Sequence, residues 1–437
     1  MPSVRTALAW ALVGCDTVVD AAGGDLTVTP SEDVVTVAEF SFVPNDIERT
    51  RVEVADDDGA LLATDWTEPG TKRVSTRLLA LPASSTLTAR VVTEGGDELD
   101  EAPFTTGGFP SQVPVLQLTG EPGWTGYNFT SALGVVNVAM ILDERGNVAW
   151  YHVASGESSL SRVRLRPDQL GVTFIRAPGV GSGEQYLSDV DWSSAEERRF
   201  AEDLHVTHDF VFLPDGTIGT LATTRVIADG KPRLGGALLE IAPDGSSSVV
   251  WDGAETWPDG VTPESEFLGP HVNTITYDSE RDWYWWTVQN DDCLLALDRP
   301  TSAVQLIIGG SQSDFTFVND PGLIGPHHIS LSGDKVRIHD NRDVDLNSRI
   351  VEYQLDHEAK TATFTGEWFH EPPVYDFALG DVNTRDDGSM LVTWSSVGII
   401  DDFGPDGTLR ASISGPLGTA FGYGEPHDSL PGQVRLR

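Results

Sequence analysis

From Pro110 onward the chain repeats itself, and a repeat of whole multi-strand units restricts the fold more than any other feature of the 437-residue sequence. One element is a turn of type Asp-x-x-Gly or Pro-Asp-Gly, followed by a strand ending near a large apolar residue. Asp143 to Gly146 runs on to Trp150, Pro243 to Gly245 to Trp251, and Pro405 to Gly407 to Ile413, with a related end from Asp356 to Trp368. A second element opens on a polar residue and continues as an alternating strand and a turn. It starts at His208, His271, His327 and Asp381, and these starts lie 63, 56 and 54 residues apart. Six such units in residues 109–437 take about 55 residues each, close to a four-stranded blade with its loops. The spacing predicts a six-bladed β-propeller.

Ahead of the repeat, residues 25–108 alternate apolar and polar in short runs without a helical period, as in Val34-Val35-Thr36-Val37-Ala38-Glu39-Phe40. Leu78 to Pro82 and then Leu87 to Val92 have the pattern of a fibronectin-type corner and strand, which closes near Gly107-Gly108. The fold class expected is therefore all-β, a small N-terminal β-sandwich followed by a six-bladed β-propeller. Residues 1–24 read as a signal segment and linker. The short apolar run after Arg5 ends in Leu12-Val13-Gly14-Cys15, which resembles a lipoprotein cleavage box, so Cys15 is the expected acylated residue of an exported, cell-envelope protein. Anchorage would be by lipid alone, since no run reaches the roughly 18 apolar residues that a bilayer span needs. The second cysteine, Cys293, then reads as a lone buried thiol. A net charge of −39 with only four lysines excludes a nucleic-acid partner, because the phosphate backbone would be repelled nearly everywhere.

Equivalent positions of successive blades ring the propeller axis. His208, His271, His327 and Asp381 are thus expected to converge on one channel mouth, with Asn273 on the same strand face as His271. Residue chemistry leaves several readings open. Imidazoles around a narrow mouth can act as nucleophile and as hydrogen-bond donors. Three His with one Asp could instead hold a metal ion for a hydrolase or oxygenase. A third possibility is a non-catalytic site for an aromatic ligand, walled by Trp285, Trp286, Trp394 and Tyr423.

The same residues carry a family resemblance. His208-Asp209 before Leu213-Pro-Asp-Gly216, then His271-Val-Asn273, then Pro326-His327 followed by His339-Asp340-Asn341 and Ser348-Arg349, are similar in order and spacing to motifs of the bacterial arylsulfate sulfotransferases. The resemblance spans roughly residues 110–430, and that family also sets a small β-sandwich before a six-bladed propeller. It implies transfer of a sulfuryl group from an aryl sulfate to a phenol through a sulfohistidine, with no cofactor. By position, His327 would be the nucleophile. His208 and His271 would hold sulfate oxygens or move the phenolic proton, with Asn273 assisting; the expected substrate-binding residues are Asn273, Gln289 and, from its place in the repeat, Asp381. Gln289 stands where the family has an arginine, so a neutral donor replaces a charged one.

Overall fold

In the computed structural model the protein is all-β, and it is described for residues 19–20, 25–134, 136–154, 158–178, 185–228, 231–253, 270–342 and 346–437. Cys15 lies outside these residues. Among the described residues no helix is long and apolar enough to cross a membrane. The chain divides into two compact units, residues 1–107 with Gly432–Arg437, and Gly108–Pro431.

The smaller unit has two antiparallel sheets. One orders Val19–Asp20, Thr27–Pro30, Ala38–Phe42 and Val74–Leu78; the other orders Gln433–Arg435, Gly59–Thr64, Thr50–Asp56, Thr86–Thr93 and Glu98–Thr105. Burial alternates along the strands, as in Ala38–Phe42 and Thr86–Thr93, so each sheet turns one apolar face inward. Val28, Phe40, Val52, Leu87, Val91 and Phe104 belong to one buried cluster. The two units divide between Gly107 and Gly108. The last six residues return to the smaller unit, and Gln433–Arg435 pairs with Gly59–Thr64 as its edge strand.

The larger unit is six sheets in chain order, each with four successive antiparallel strands or the equivalent. Their first strands are Tyr127–Gly134, Ser158–Leu165, Val206–Phe212, Val272–Asp278, Pro326–Ser332 and Asp381–Thr384. The recurring turn has a physical cause. Asp143, Asp215, Asp244, Asp387 and Asp406 each accept a hydrogen bond from the backbone N–H two residues ahead. The glycine that follows sits at a φ between +80° and +85° at Gly146, Gly216, Gly245, Gly388 and Gly407, where a side chain would be strained.

First strands of neighbouring sheets are tied by side chains. Ser131 bonds the carbonyl of Leu160, Ser161 that of His208, and Thr274 that of His327. The Asp209 carboxylate accepts from the amide of Ile275, and the ring of His328 meets the carbonyl of Val382. Asp381 accepts from the amide of Gly424, which leads into Glu425–His427, a strand paired with Tyr127–Gly134. Each first strand is thereby tied to the next, and the sixth to the first through Gly424 and Glu425–His427. Both ends of the unit reinforce these ties, because Gln117–Gly120 pairs with Leu409–Ser414 and Thr419–Phe421 with Tyr127–Gly134.

Candidate active site

In four consecutive sheets the pairing of the first strand to the second is interrupted near its start, where two residues of the first strand are passed over and the register slips by one, or by two in the sheet of His208. The residues passed over are Ser161-Arg162, His208-Asp209, Asn273-Thr274 and His327-His328. Such a bulge re-aims side chains that a regular strand would send to alternate faces. At His208 it also requires φ of +58°, a left-handed conformation that costs a non-glycine residue about 1–2 kcal/mol.

These bulges set a register different from that of the sequence repeat. His208, Asn273 and His327 are equivalent positions, while His271 precedes its strand and bonds through its amide to Asn290 Oδ1, at 2.8 Å. The imidazoles nevertheless meet. The ring centroids of His208 and His271 lie 5.3 Å apart, and Nε2 of His327 is 3.1 Å from Nδ2 of Asn273. Gln289 falls in a short 3-10 turn rather than a strand. Its amide donates to the carbonyl of His271 at 3.0 Å, and its half-buried side chain holds no hydrogen bond among the described residues.

Asp381 is not in this group. Its buried carboxylate meets Nδ1 of His328 at 2.7 Å and the guanidinium of Arg162 at 3.0 Å. It is held ionised well below the usual carboxylate range, against burial, by His328 and then Arg162. Convergence at one mouth fails for Asp381 because its strand pairs without a bulge. Nor do the four aromatics serve as open walls. Trp285 and Trp286 belong to buried clusters, Trp394 donates to Asp401, and the buried ring of Tyr423 lies 4.5 Å under the guanidinium of Arg162.

The decisive detail is the tautomer of His327. Nδ2 of Asn341 donates to two carbonyls, Asp376 at 2.6 Å and Leu379 at 3.1 Å. Carbonyls only accept, so Oδ1 of Asn341 must be the atom that faces Nδ1 of His327, at 2.6 Å. Nδ1 therefore carries the proton, and in the neutral ring the lone pair sits on Nε2, where the amide of Asn273 can donate to it. Among the described residues Oδ1 of Asn273 has no hydrogen-bond partner.

Burial pushes all three imidazoles toward neutrality. His208 falls to about 3, helped by repulsion from His271 and His327; His271 falls to about 4; His327 falls to about 4, with His339 adding to the effect. Imidazolium donors are therefore not what this mouth offers at neutral pH, only neutral ring N–H groups and carboxamides. Among the described residues no group of three or more His, Cys, Asp or Glu side chains is arranged to hold a metal ion.

Sequence reasoning missed Arg162 and the role of Asn341. Arg162 stands in a strand without a turn motif, and a buried arginine looks like any other in sequence. Asn341 was part of a recognised motif, but its partner is 14 residues away on the neighbouring strand.

No protein-family profile matches the chain, and no curated protein matches it. Among solved structures it is similar to a protein of unknown function from Bacteroides caccae, at 10% identity and a TM-score of 0.45, covering 69% of this chain and 99% of that one. It is also similar to the periplasmic gluconolactonase of Pseudomonas aeruginosa, at 15% identity and a TM-score of 0.40, covering 65% and 81%. The fold stands on the sheets described above.

Proposed function

We propose that the six sheets are the blades of a six-bladed β-propeller, that the smaller unit is a β-sandwich, and that the propeller transfers a sulfuryl group from an aryl sulfate to a phenol. The observation that carries the reading is the fixed tautomer of His327, a buried neutral imidazole with its Nε2 lone pair among hydrogen-bond donors. In the first step Nε2 attacks sulfur, the bond from sulfur to the aryl oxygen breaks, and its electron pair leaves on the phenolate. In the second step a phenol oxygen attacks the same sulfur, the sulfur–nitrogen electron pair returns to Nε2, and the acceptor's hydroxyl proton passes to the phenolate released in the first step or to solvent. Two steps let one pocket serve donor and acceptor in turn. Asn273 Nδ2, withdrawn from Nε2, is placed to hold a sulfuryl oxygen, and His208 and His271 supply further neutral donors. The Leu12 to Cys15 segment supports an exported, lipid-anchored enzyme.

Mass spectrometry of protein mixed with 4-nitrophenyl sulfate tests this directly. A sulfuryl adduct is expected on His327, disappearing when phenol is added. A protein that turns over the ester without ever carrying the adduct would overturn the mechanism.

The pH profile follows from the same ring. Attack needs unprotonated Nε2, and protonation is held off until about pH 4. The kcat/KM of the first step, which reports the free enzyme, should stay level from pH 7 to about 5 and fall below about 4; a limb near 6.5 would contradict it. Asn341→Asp should move that limb upward, because a carboxylate at Nδ1 stabilises the imidazolium that the carboxamide does not.

A further inference from the structure

The two histidines of the fourth bulge face different spaces. His327 belongs to the cluster above, at the starts of the first strands. His328 lines a separate cavity of about 800 Å³, toward the strand ends marked by Leu213, Glu280 and Gly333. A volume of this size suits a small molecule. No member of the His327 cluster lines it.

At its inner wall Nδ1 of His328 lies 2.7 Å from the Asp381 carboxylate and 3.0 Å from the carbonyl of Val382. These two acceptors are nearer than the one donor at Nδ1, the amide of Val382 at 3.4 Å, so Nδ1 carries the proton, and in the neutral ring the lone pair lies on Nε2. Among the described residues Nε2 meets no hydrogen-bonding partner. The result is an oriented imidazole, backed by a carboxylate, with its accepting nitrogen unused.

Charge decides what can enter. Every guanidinium on the wall is already paired. Arg162 meets Asp209 and Asp381, Arg164 meets Glu425 at 3.0 Å, and Arg281 meets Asp278 and Asp334. No cation is spare for an anion, which would also face Asp278, Glu280 and Glu425. Ser330, Thr276 and Asn383 add neutral polar groups, and Ile329, Leu331 and Tyr277 add apolar surface.

We propose that this cavity is a second small-molecule site, taking an uncharged hydroxyl-bearing molecule whose O–H donates to Nε2 of His328. The site does not depend on sulfuryl transfer at His327. A sugar and a phenol share the required hydroxyl, and the test separates them. Full-length protein with ring-15N histidine is titrated with methyl α-glucoside and, separately, with phenol, and the His328 resonance is assigned by its loss in His328→Gln. A saturable shift of that resonance is expected with one of the probes, which identifies the source. No shift with either probe up to about 50 mM, weaker than the millimolar range of modest ligands, would overturn the proposal. Because His328→Gln also removes a partner of Asp381, the cavity is tested separately at its exposed rim. Ser279→Trp should weaken the titration at least tenfold with the fold intact, and an unchanged titration would sink the assignment to this cavity.

Discussion

Replacing His327 with glutamine should lower sulfuryl transfer by about 10⁴-fold or more and abolish the adduct, while the protein stays folded. The size follows from the role. A nucleophile that forms the covalent intermediate has no substitute in the remaining site, and what survives is the contribution of binding and neutral donors. Loss of a hydrogen-bond donor such as Asn273 removes stabilisation of developing charge only, commonly about 10²–10³ in rate. Asn273→Ala should therefore sit between the wild type and His327→Gln. Turnover of 4-nitrophenyl sulfate by the purified variants, alongside their thermal melting, checks both. A His327→Gln protein that melts normally and retains a tenth of the activity would remove this ring from the chemistry. Equal losses in Asn273→Ala and His327→Gln would mean that the two act as one unit.

What the sequence disclosed, and what it hid, divides along physical lines. The turn motif was legible because an aspartate that caps the next amides and a glycine at positive φ are required locally, at Asp215 and Gly216 as at Asp244 and Gly245. The meeting of His208 with His271 was legible from spacing. Their register was not. Which residues a strand passes over depends on its pairing partner, so Asn273 rather than His271 matching His208 and His327 could be seen only in the ladder. The adjacent His328 lines a different space from His327, and the sequence held no sign that Asp381 would meet it there. The tautomer of His327 was equally hidden, since it follows from two carbonyls of a loop, Asp376 and Leu379, that fix Asn341. Arg162 was invisible for a further reason. Its value lies in two carboxylates 47 and 219 residues away in the chain.

Arg162→Met should destabilise the protein by roughly 3–5 kcal/mol, the usual cost of leaving buried charge uncompensated. The guanidinium is almost fully buried, donates to both oxygens of Asp209 at 2.7 and 3.0 Å, to Asp381 at 3.0 Å and to the carbonyl of Gly424 at 2.8 Å. Asp209 and Asp381 are themselves 0% exposed. With the cation gone, Asp209 keeps the amides of Phe210 and Ile275 and a longer contact to Arg164 at 3.5 Å, and Asp381 keeps the amide of Gly424 and Nδ1 of His328. Asp381 loses one of the two side chains that hold it ionised. Arg162→Lys should recover only part, because a single ammonium cannot match a fork that spans two acids and a carbonyl. The pH dependence has a definite sign. Asp381 in the wild type is held ionised partly by this cation, so without it the carboxylate binds a proton more readily in the fold. Protonation then relieves the buried charge, and the gap between variant and wild type should narrow as pH falls from 7 toward 4. Urea unfolding at several pH values measures this. A gap that is constant with pH would assign the loss to packing over Tyr423 rather than to charge, whereas a triple variant Arg162→Met, Asp209→Asn, Asp381→Asn that regains stability would locate it in these three ionised groups.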